Sequence, residues 1–402
     1  MKPEYIKKFE KMGLGLFVHL GLYSIFQKGE WYYSVLNTDE QRQDYFSNIK
    51  KFKIAKSWAK DIVGTAKKLG AKYITIGTRH HEGFSLFDTH GLTDFDVMHS
   101  PTKRDLMQEF VEECRKNDIV PFFYHTLLDW HNKDFNDNFP KYIDYLIASV
   151  ELLCKNYGKI GGFWFDGFWS KPYENWQFDR LYGMIRKYQP EAMIINNTGL
   201  DERGKVGHYE IDSVTFERGK PFNVSSEDRK ERAGEVCNSL TDHWGNTKLD
   251  LNYLSVPYLI DLLIDCRYNG CNLLINGGVD KNGKMKSMDK ATLGMLGIWV
   301  HKHEHIIRDC KPSKITADNA LIFEDENYYY AVIKNVPLIA TLNVVEAKSL
   351  PRITIHSDKK VIEACCYDDK KAKIKVEKNS FAMPAFPYGV SMCARVVRFK
   401  LK

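Results

Sequence analysis

The chain has 402 residues, of which 44% are hydrophobic and 13% aromatic, with a formal net charge of +6. That is enough apolar material for a sizeable core, and the length suits one large domain followed by a small one. Lys and Arg are spread along the chain with no basic tract interleaved with aromatics, so a solvated mixed-charge surface is favoured over nucleic-acid binding.

The nine cysteines form no CxxC pair, and the adjacent Cys365-Cys366 cannot easily bridge each other. A zinc ribbon and a thioredoxin-like motif are therefore unsupported, and scattered free thiols fit a reducing, cytoplasmic setting. No run of 18 apolar residues exists, so no membrane span is expected. Met1-Lys2-Pro3-Glu4-Tyr5 leads into no apolar segment of signal-peptide length, although secretion after removal of a leader outside this sequence stays compatible with it.

In chain order, the run LGLFVHLG (14–21) reads as a buried strand that reaches the polar His19. An aromatic, turn-rich loop carrying Glu30-Trp31-Tyr32 follows. The segment 55–69 has helical spacing, with Trp58, Ile62, Ala66 and Leu69 on one face and Gly70 as its stop. A second strand over 73–77 runs out into Arg79-His80-His81-Glu82-Gly83-Phe84. A helix over 101–117 carries Leu106, Phe110 and Cys114 at four-residue steps. A third strand over 119–125 contains Tyr124, with Asp129-Trp130-His131 beyond it. A helix over 142–157 then delivers the chain into Gly161-Gly162-Phe163-Trp164-Phe165-Asp166-Gly167. This fourth strand is too apolar to face water, and it ends in a carboxylate. Asp166 reads equally as a group presented at a barrel face or as half of an Asp-Gly turn.

A helix over 176–188 stops before Pro190. The fifth strand is expected at 192–196, the sixth at 212–217 ending in Glu217, and the seventh near 235–240. The polar stretch 218–234 reads as a long loop. A helix over 256–268, an eighth strand over 272–275 closed by Asn276-Gly277-Gly278, and a last helix over 291–303 complete the pattern. Alternating strands and helices imply a parallel sheet with right-handed crossovers. About eight such units fit a (β/α)8 TIM-like barrel, a fold of ~200 to more than 400 residues. An open doubly wound sheet competes, but no GxGxxG follows the first strand. From about 312 the helical period disappears. Short β-rich runs at 328–333, 352–355, 361–364 and 396–399 predict a small antiparallel β-sandwich, giving domains 1–311 and 312–402.

The polar residues at strand ends are His19, His80, His81, Tyr124, Asp166 and Glu217, with Glu30, Trp31 and Asn276 on neighbouring loops. A barrel would gather them on one face. Taken singly, each has a plainer explanation: a satisfied core histidine, a packed Trp, a salt-bridged Glu. Metal-assisted hydrolysis would enlist His19, His80, His81 and Asp166, though adjacent histidines both point inward only at an irregular strand end. Nucleophilic Ser or Cys catalysis lacks a GxSxG elbow or a marked Cys-His context. Glycoside hydrolysis needs two carboxylates with sugar-binding donors and aromatics, and all are present.

Several segments, in this order, resemble the glycoside hydrolase family 29 α-L-fucosidases. They are GLGLFVHLGLYSIFQKGE (13–30) with Trp31-Tyr32, Gly70-Ala71-Lys72-Tyr73 through Arg79-His80-His81-Glu82-Gly83-Phe84-Ser85-Leu86, Lys103-Arg104-Asp105-Leu106, and 142–157 with Phe163-Trp164-Phe165-Asp166-Gly167. GCNLLING (270–277) is similar to that family's late Gly-Asn-Leu-Leu-Leu-Asn segment. The resemblance covers about residues 10–305 and rests most on the HHxGF and WFDG elements. It implies a barrel followed by a β-sandwich and an exo-acting, retaining α-L-fucosidase that uses no metal or cofactor. Its partner would be a fucosylated oligosaccharide or glycoconjugate. By that resemblance Asp166 matches the nucleophile, and His19, Glu30, Trp31, His80, His81 and Tyr124 match positions that hold the fucose ring, with Trp164 beside the nucleophile. The acid/base varies in the family: Thr215-Phe216-Glu217 resembles one subgroup's Thr-x-Glu, and Glu235 resembles an acid of another branch. Glu217 is preferred because a strand end is a fixed platform.

The departures concern the substrate's surroundings. The usual Lys-His-His-Asp is Arg79-His80-His81-Glu82 here, and Asn276-Gly277-Gly278-Val279 lacks the usual Pro. A mid-barrel Arg is replaced in the region Asn196-Asn197-Thr198, leaving Arg203 or Arg218 as substitutes. Hydrolysis of another α-linked deoxy or galactose-type sugar, and sugar binding without catalysis, are the competing functions.

Overall fold

The computed structural model describes residues 2–402 except 199, 201–204, 220, 222–229, 335, 337–338, 342–343, 347–351, 370–371, 373, 384–385 and 387–389. Eight parallel strands close into a barrel in sequence order: β1 (Leu14–His19), β2 (Tyr73–Arg79), β3 (Val120–Thr126), β4 (Gly162–Asp166), β5 (Met193–Asn196), β6 (Ser213–Glu217), β7 (Ala233–Ser239) and β8 (Cys271–Gly278), with β8 pairing back onto β1. Strand alternation sorts each sequence into two cores. On β4, Phe163 and Phe165 pack outward against the helices, and Trp164 points into the barrel with Phe17, Tyr73, Phe122, Tyr124, Ile195 and Leu274. Asp166, two residues past Trp164, keeps that inward parity at the C-terminal mouth.

Ten helices are described, α1 (Glu4–Met12), α2 (Asp39–Ser47), α3 (Trp58–Leu69), α4 (Leu106–Lys116), the single turn α5 (Asp134–Asp137), α6 (Phe139–Asn156), α7 (Phe178–Tyr188), α8 (Val256–Tyr268), α9 (Ser287–Lys302) and the short α10 (Glu304–Arg308). Their ends follow local chemistry. Asp105 caps α4 by accepting from the Gln108 N–H, and Asn138 and Ser255 cap α6 and α8, each with a proline in the first turn. Gly70 ends α3 in the left-handed region at φ 80°. Among the described residues no helix lies between β5 and β6 or between β6 and β7, so the helical ring is incomplete there.

Several features differ from the strand-helix pattern read in the sequence, including the unexpected helices α2, α5 and α10. The seventh strand begins at Ala233, two residues before the expected start. The helix α1, unrecognised in the sequence, plugs the N-terminal end of the barrel: Ile6 and Phe9 are buried, and the Phe9 ring lies 5.4 Å from Tyr73 and 5.6 Å from Phe122. The glycine at 162 has a direct cause. A Cβ there would sit 2.4 Å from the Met193 carbonyl oxygen, so β4 and β5 approach only without one.

After α10 the chain forms two antiparallel sheets. One orders Val361–Cys366, Arg395–Leu401, Tyr329–Ile333, Leu321–Glu324 and Lys311–Pro312, and the other orders Thr316–Ala317, Arg352–His356, Ser380–Ala382 and Val376–Glu377. Ile322, Ala331, Ile353, Ile355, Phe381, Val397 and Phe399 fill the space between them. A two-stranded hairpin, Ile339–Thr341 with Val344–Glu346, is separate from both. The architecture is thus a TIM-like barrel with a C-terminal β-sandwich. No described helix is long and apolar enough to cross a membrane.

Because Phe9 is the main ring closing the barrel floor, Phe9→Ala should lower unfolding stability by about 3–5 kcal/mol. Urea denaturation followed by tryptophan fluorescence checks this; a loss below about 1 kcal/mol would show that the floor closes without α1.

Candidate active site

The C-terminal mouth of the barrel holds a pocket with about 440 Å³ of atom-free space, open to solvent. Phe17, Tyr124, Trp164 and Cys237 come from inward strand positions, His19, Asp166 and Glu217 from strand ends, and Trp31, Trp169, Leu200 and Trp244 from loops. Every expected strand-end residue therefore reaches the same mouth or the wall behind it.

Asp166 is the best-connected group in the pocket. Its Oδ2 accepts from Tyr124 OH at 3.2 Å and lies 3.4 Å from His81 Nε2. Its Oδ1 accepts from Trp169 Nε1 and from Asn197 Nδ2, both at 3.3 Å. Burial alone would raise its pKa. The hydrogen bond and charge of His81, the Asn197 amide and the Gly167 N–H outweigh burial and hold it below the usual carboxylate range. Gly167, at φ 101° and with Leu128 N 2.8 Å from where a Cβ would sit, makes the turn that leaves Asp166 at the rim.

The orientation of His81 beside Asp166 follows from a chain of donors. Thr126 Oγ1 donates to the Leu128 carbonyl at 2.6 Å, so it accepts from His81 Nδ1 at 2.7 Å. Nδ1 thus carries a hydrogen. Nε2 is then the nitrogen that faces Asp166.

Glu217 behaves oppositely. Burial and the negative charge of Asp166 raise its pKa to about 7, against the Asn197 hydrogen bond and the Arg218 charge. The same Asn197 Nδ2 that reaches Asp166 donates to Glu217 Oε2 at 2.8 Å, while Asn197 Oδ1 accepts from Thr215. One nitrogen on both acids holds these two oxygens no more than about 6 Å apart, a limit that admits the ~5–5.5 Å carboxyl spacing of retaining glycosidases.

Glu235 lies two residues below Cys237 on β7, one inward layer beneath the pocket. Its carboxyl accepts from Tyr73 OH and, at 2.9 Å, from Trp164 Nε1. Burial raises its pKa to about 7 as well, but it is 1% exposed and does not line the pocket. It anchors the Trp164 ring, which stacks 5.8 Å from Tyr124.

Of the remaining expected residues, His19, His80 and Trp31 line the pocket, and Glu30 and Asn276 lie behind that lining. His19 Nδ1 bonds Asn276 Oδ1 at 2.8 Å; the Asn276 amide donates to Ser239 and to the Trp244 carbonyl, so Nδ1 carries the hydrogen and Nε2 is left as an acceptor. His80 stacks on Tyr124 at 5.7 Å, and burial followed by the charges of His81 and His19 keeps its pKa well below normal. Glu30 is buried and accepts from the Gly245 N–H at 2.7 Å. Trp31, 40% exposed, stacks 5.7 Å from Trp169 and lies 5.5 Å from His81 at the rim. The histidines of the pocket do not gather with Asp166 at metal-ligand spacing among the described residues.

The two divergent members of the tetrad, Arg79 and Glu82, point away from the pocket. Arg79 is buried 3.8 Å from Asp129, and Glu82 ties down the following loop by accepting from Leu22 N, Tyr23 N and Tyr45 OH. Arg218 donates to the Asp242 carbonyl at 2.6 Å and lies over the Trp244 ring. Arg203 and residues 220 and 222–229 of the 218–234 loop lie outside the described residues. Sequence reasoning named Asn197 only as part of the segment that replaces a mid-barrel Arg, and it missed Trp169 and Trp244. Asn197 sits just past a strand end, a position that flagged other residues, but amides carry no charge to draw notice.

A family model described as Alpha-L-fucosidase matches residues 2–305. The chain belongs to the α-L-fucosidase family of glycoside hydrolases. Alpha-L-fucosidase isoenzyme 1 from Paenibacillus thiaminolyticus superposes at a TM-score of 0.81 and 25% identity, covering 99% of each chain. Tissue alpha-L-fucosidase of Bos taurus is 22% identical over 385 residues, 86% of this chain and 79% of the relative. An α-L-fucosidase from Bacteroides thetaiotaomicron, solved as a trapped covalent intermediate with 2-fluoro-fucosyl fluoride, shares the fold at a TM-score of 0.79 and 20% identity, covering 100% and 97% of the two chains.

Glu235 yields a stability prediction. A carboxyl raised from 4.5 to about 7 binds its proton in the folded chain more tightly than in the unfolded one. Its contribution is present below the unfolded value and is lost as pH rises toward about 7. Glu235→Gln keeps the shape and cannot ionise, so between pH 5 and 8 it should lose on the order of 1–3 kcal/mol less than the parent. Denaturation curves at both pH values measure this; equal losses would refute the assignment.

Proposed function

We propose that this chain removes terminal α-L-fucose from fucosylated oligosaccharides or glycoconjugates by a retaining double displacement, with Asp166 as nucleophile and Glu217 as acid/base. The observation that carries the reading is the Asn197 amide nitrogen between two carboxyls of opposite bias. Asp166 is held ionised, as a nucleophile must be, and Glu217 is raised to about 7, as an acid working near neutrality must be.

In the first step Asp166 attacks the anomeric carbon while Glu217 gives its proton to the departing glycosidic oxygen. The sugar is left as an ester on Asp166. Glu217, now a carboxylate, takes a proton from water, which attacks the same carbon and releases Asp166 with net retention. As Asp166 gives up its charge to the ester, its repulsion of Glu217 falls, and so does Glu217's affinity for the proton it has just donated. His19 Nε2 and Glu30 offer acceptors to ring hydroxyls, and the aromatic walls suit the apolar methyl face of a 6-deoxy sugar. The covalent intermediate trapped in the Bacteroides relative is in keeping with this course. All nine cysteines are unpaired, which supports a reducing, cytoplasmic setting.

The two biases fix the pH profile. kcat/KM for an aryl fucoside should fall as pH rises through about 7, where Glu217 deprotonates, and should hold on the acid side until Asp166 protonates below the usual carboxylate range. Glu217→Gln should cost roughly 10²–10⁴-fold on a poor leaving group and remove the alkaline limb. Glu235→Gln should leave that limb in place. Loss of the limb in the second variant alone would move the role to Glu235.

Azide separates the two roles by stereochemistry. With an activated aryl fucoside, Asp166→Ala should be rescued to give the β-fucosyl azide and Glu217→Ala the α-anomer. The same anomer from both variants would overturn the pairing, and an aryl α-galactoside hydrolysed in preference to the fucoside would overturn the substrate.

A further inference from the structure

At the opposite end of the barrel, where α10 leads into the sandwich, His305, Cys310 and Asp325 bring one ligand atom each within 4.8 Å of one another. We propose that these three side chains form a binding site for a thiophilic divalent cation of the zinc class that fastens the sandwich to the barrel. The site lies beside the N-terminal end of β1, at the far end of the barrel from Asp166 and Glu217: Ile307 of α10 packs against Gly13, the residue before that strand, and Lys11 of α1 pairs with Asp309 at 3.3 Å.

The donor set is chemically matched. Imidazole, thiolate and carboxylate together suit Zn²⁺ and are poor for Mg²⁺ or Ca²⁺, which prefer oxygen alone. His305 Nε2 and Asp325 Oδ2 are 2.9 Å apart. Two ligands of a tetrahedral zinc with ~2.0–2.1 Å bonds stand roughly 3.3 Å apart, so a small side-chain movement accommodates the ion. The fourth position opens onto a solvent-filled cleft at the barrel-sandwich junction, which gives an entry path.

The surroundings orient the ligands independently of one another. Asp325 Oδ1 is taken by the backbone N–H groups of Asn327 and Tyr328, which turns Oδ2 toward His305. Tyr330 OH donates to that Oδ2 at 2.7 Å. On the other side of the ring, His305 Nδ1 lies 3.3 Å from Asp309 Oδ2. A carboxylate behind the non-ligating nitrogen is how metal-bound histidines are held in tautomer and orientation. Lys311 and Arg308 are paired with Glu324 at 3.4 Å and Glu304 at 2.5 Å, and Lys11 meets the far oxygen of Asp309 and none of the three ligands. Binding replaces the His305–Asp325 hydrogen bond with two metal bonds and releases the Cys310 proton to solvent, with the Nε2 proton where His305 carries one.

The position gives the site its effect. His305 and Cys310 follow the last barrel helix, whereas Asp325 sits in the turn after the sandwich strand Leu321–Glu324. An ion held by all three ties the two units together.

The test uses the full-length chain, stripped with chelator and titrated with Co²⁺ and then with Zn²⁺. The expected result is one ion per chain, a thiolate-to-cobalt charge-transfer band that Zn²⁺ abolishes, and a Tm several degrees higher with Zn²⁺ than with chelator. Cys310→Ser should lose the band, and both it and Asp325→Asn should lose the Tm increment, while kcat/KM on an aryl fucoside stays within twofold of the parent. A parent protein that gives no charge-transfer band overturns the proposal whatever the variants do. So does a band that survives Cys310→Ser, because another cysteine then holds the metal. Loss of fucoside hydrolysis in the parent would count against the active-site reading and leave the cobalt spectrum as an independent readout.

Discussion

A histidine beside the carboxylate separates Asp166 from two other buried acids of this barrel, Glu82 and Glu235. Glu82 accepts from two backbone amides and one tyrosine hydroxyl, yet burial still raises it to about 8. Glu235 accepts from an indole and a phenol and sits at about 7. Asp166 has weaker individual contacts, most of them longer than 3 Å, and it is the one held below its ordinary range. Neutral donors do not repay the removal of a carboxylate from water; a facing charge does. The Thr126–His81 link therefore matters beyond orientation, because fixing the hydrogen on Nδ1 turns the other nitrogen, and any proton on it, toward Asp166.

Asn197 makes the two acids one unit. Its amide nitrogen sets their separation, and its oxygen is fixed by Thr215. Because the two groups repel, the ionisation of Asp166 is part of what raises Glu217. The pair then titrates as a pair, and a change at either residue is felt at the other. The barrel supplies the rigidity this needs: Trp164 is held from below by Glu235 and stacked on Tyr124, so the floor on which Asp166 stands has few ways to move.

Much of this was legible in the sequence because the barrel writes a simple signal. Apolar runs that end in a polar residue marked His19, His80, Asp166 and Glu217, and closure of the sheet brought all of them to one mouth. The losses have physical reasons. The helix α1 is only nine residues long and buries only Ile6 and Phe9, too short a run to stand out, although those two residues close the floor. The seventh strand begins with Ala233 and Gly234, which lack the bulk that announces a strand. Asn197, Trp169 and Trp244 act through neutral hydrogen bonds and ring faces, and nothing in a linear pattern says which amide or indole will meet a carboxylate.

Glu217 and Glu235 show why a perturbed titration does not by itself identify a catalyst. Both are glutamates on adjacent inward-facing strands, and both are raised to about 7 chiefly by burial. They differ in depth by one layer, since Thr215 pairs with Glu235 and Glu217 with Cys237. At the lower layer both carboxyl oxygens are consumed by Tyr73 and Trp164, so a proton there has no route to a substrate. At the upper layer Glu217 lines the pocket and shares a donor with Asp166. One step along a strand thus separates a group that supports the floor from a group that faces the sugar, and access, not proton affinity, draws the line between them.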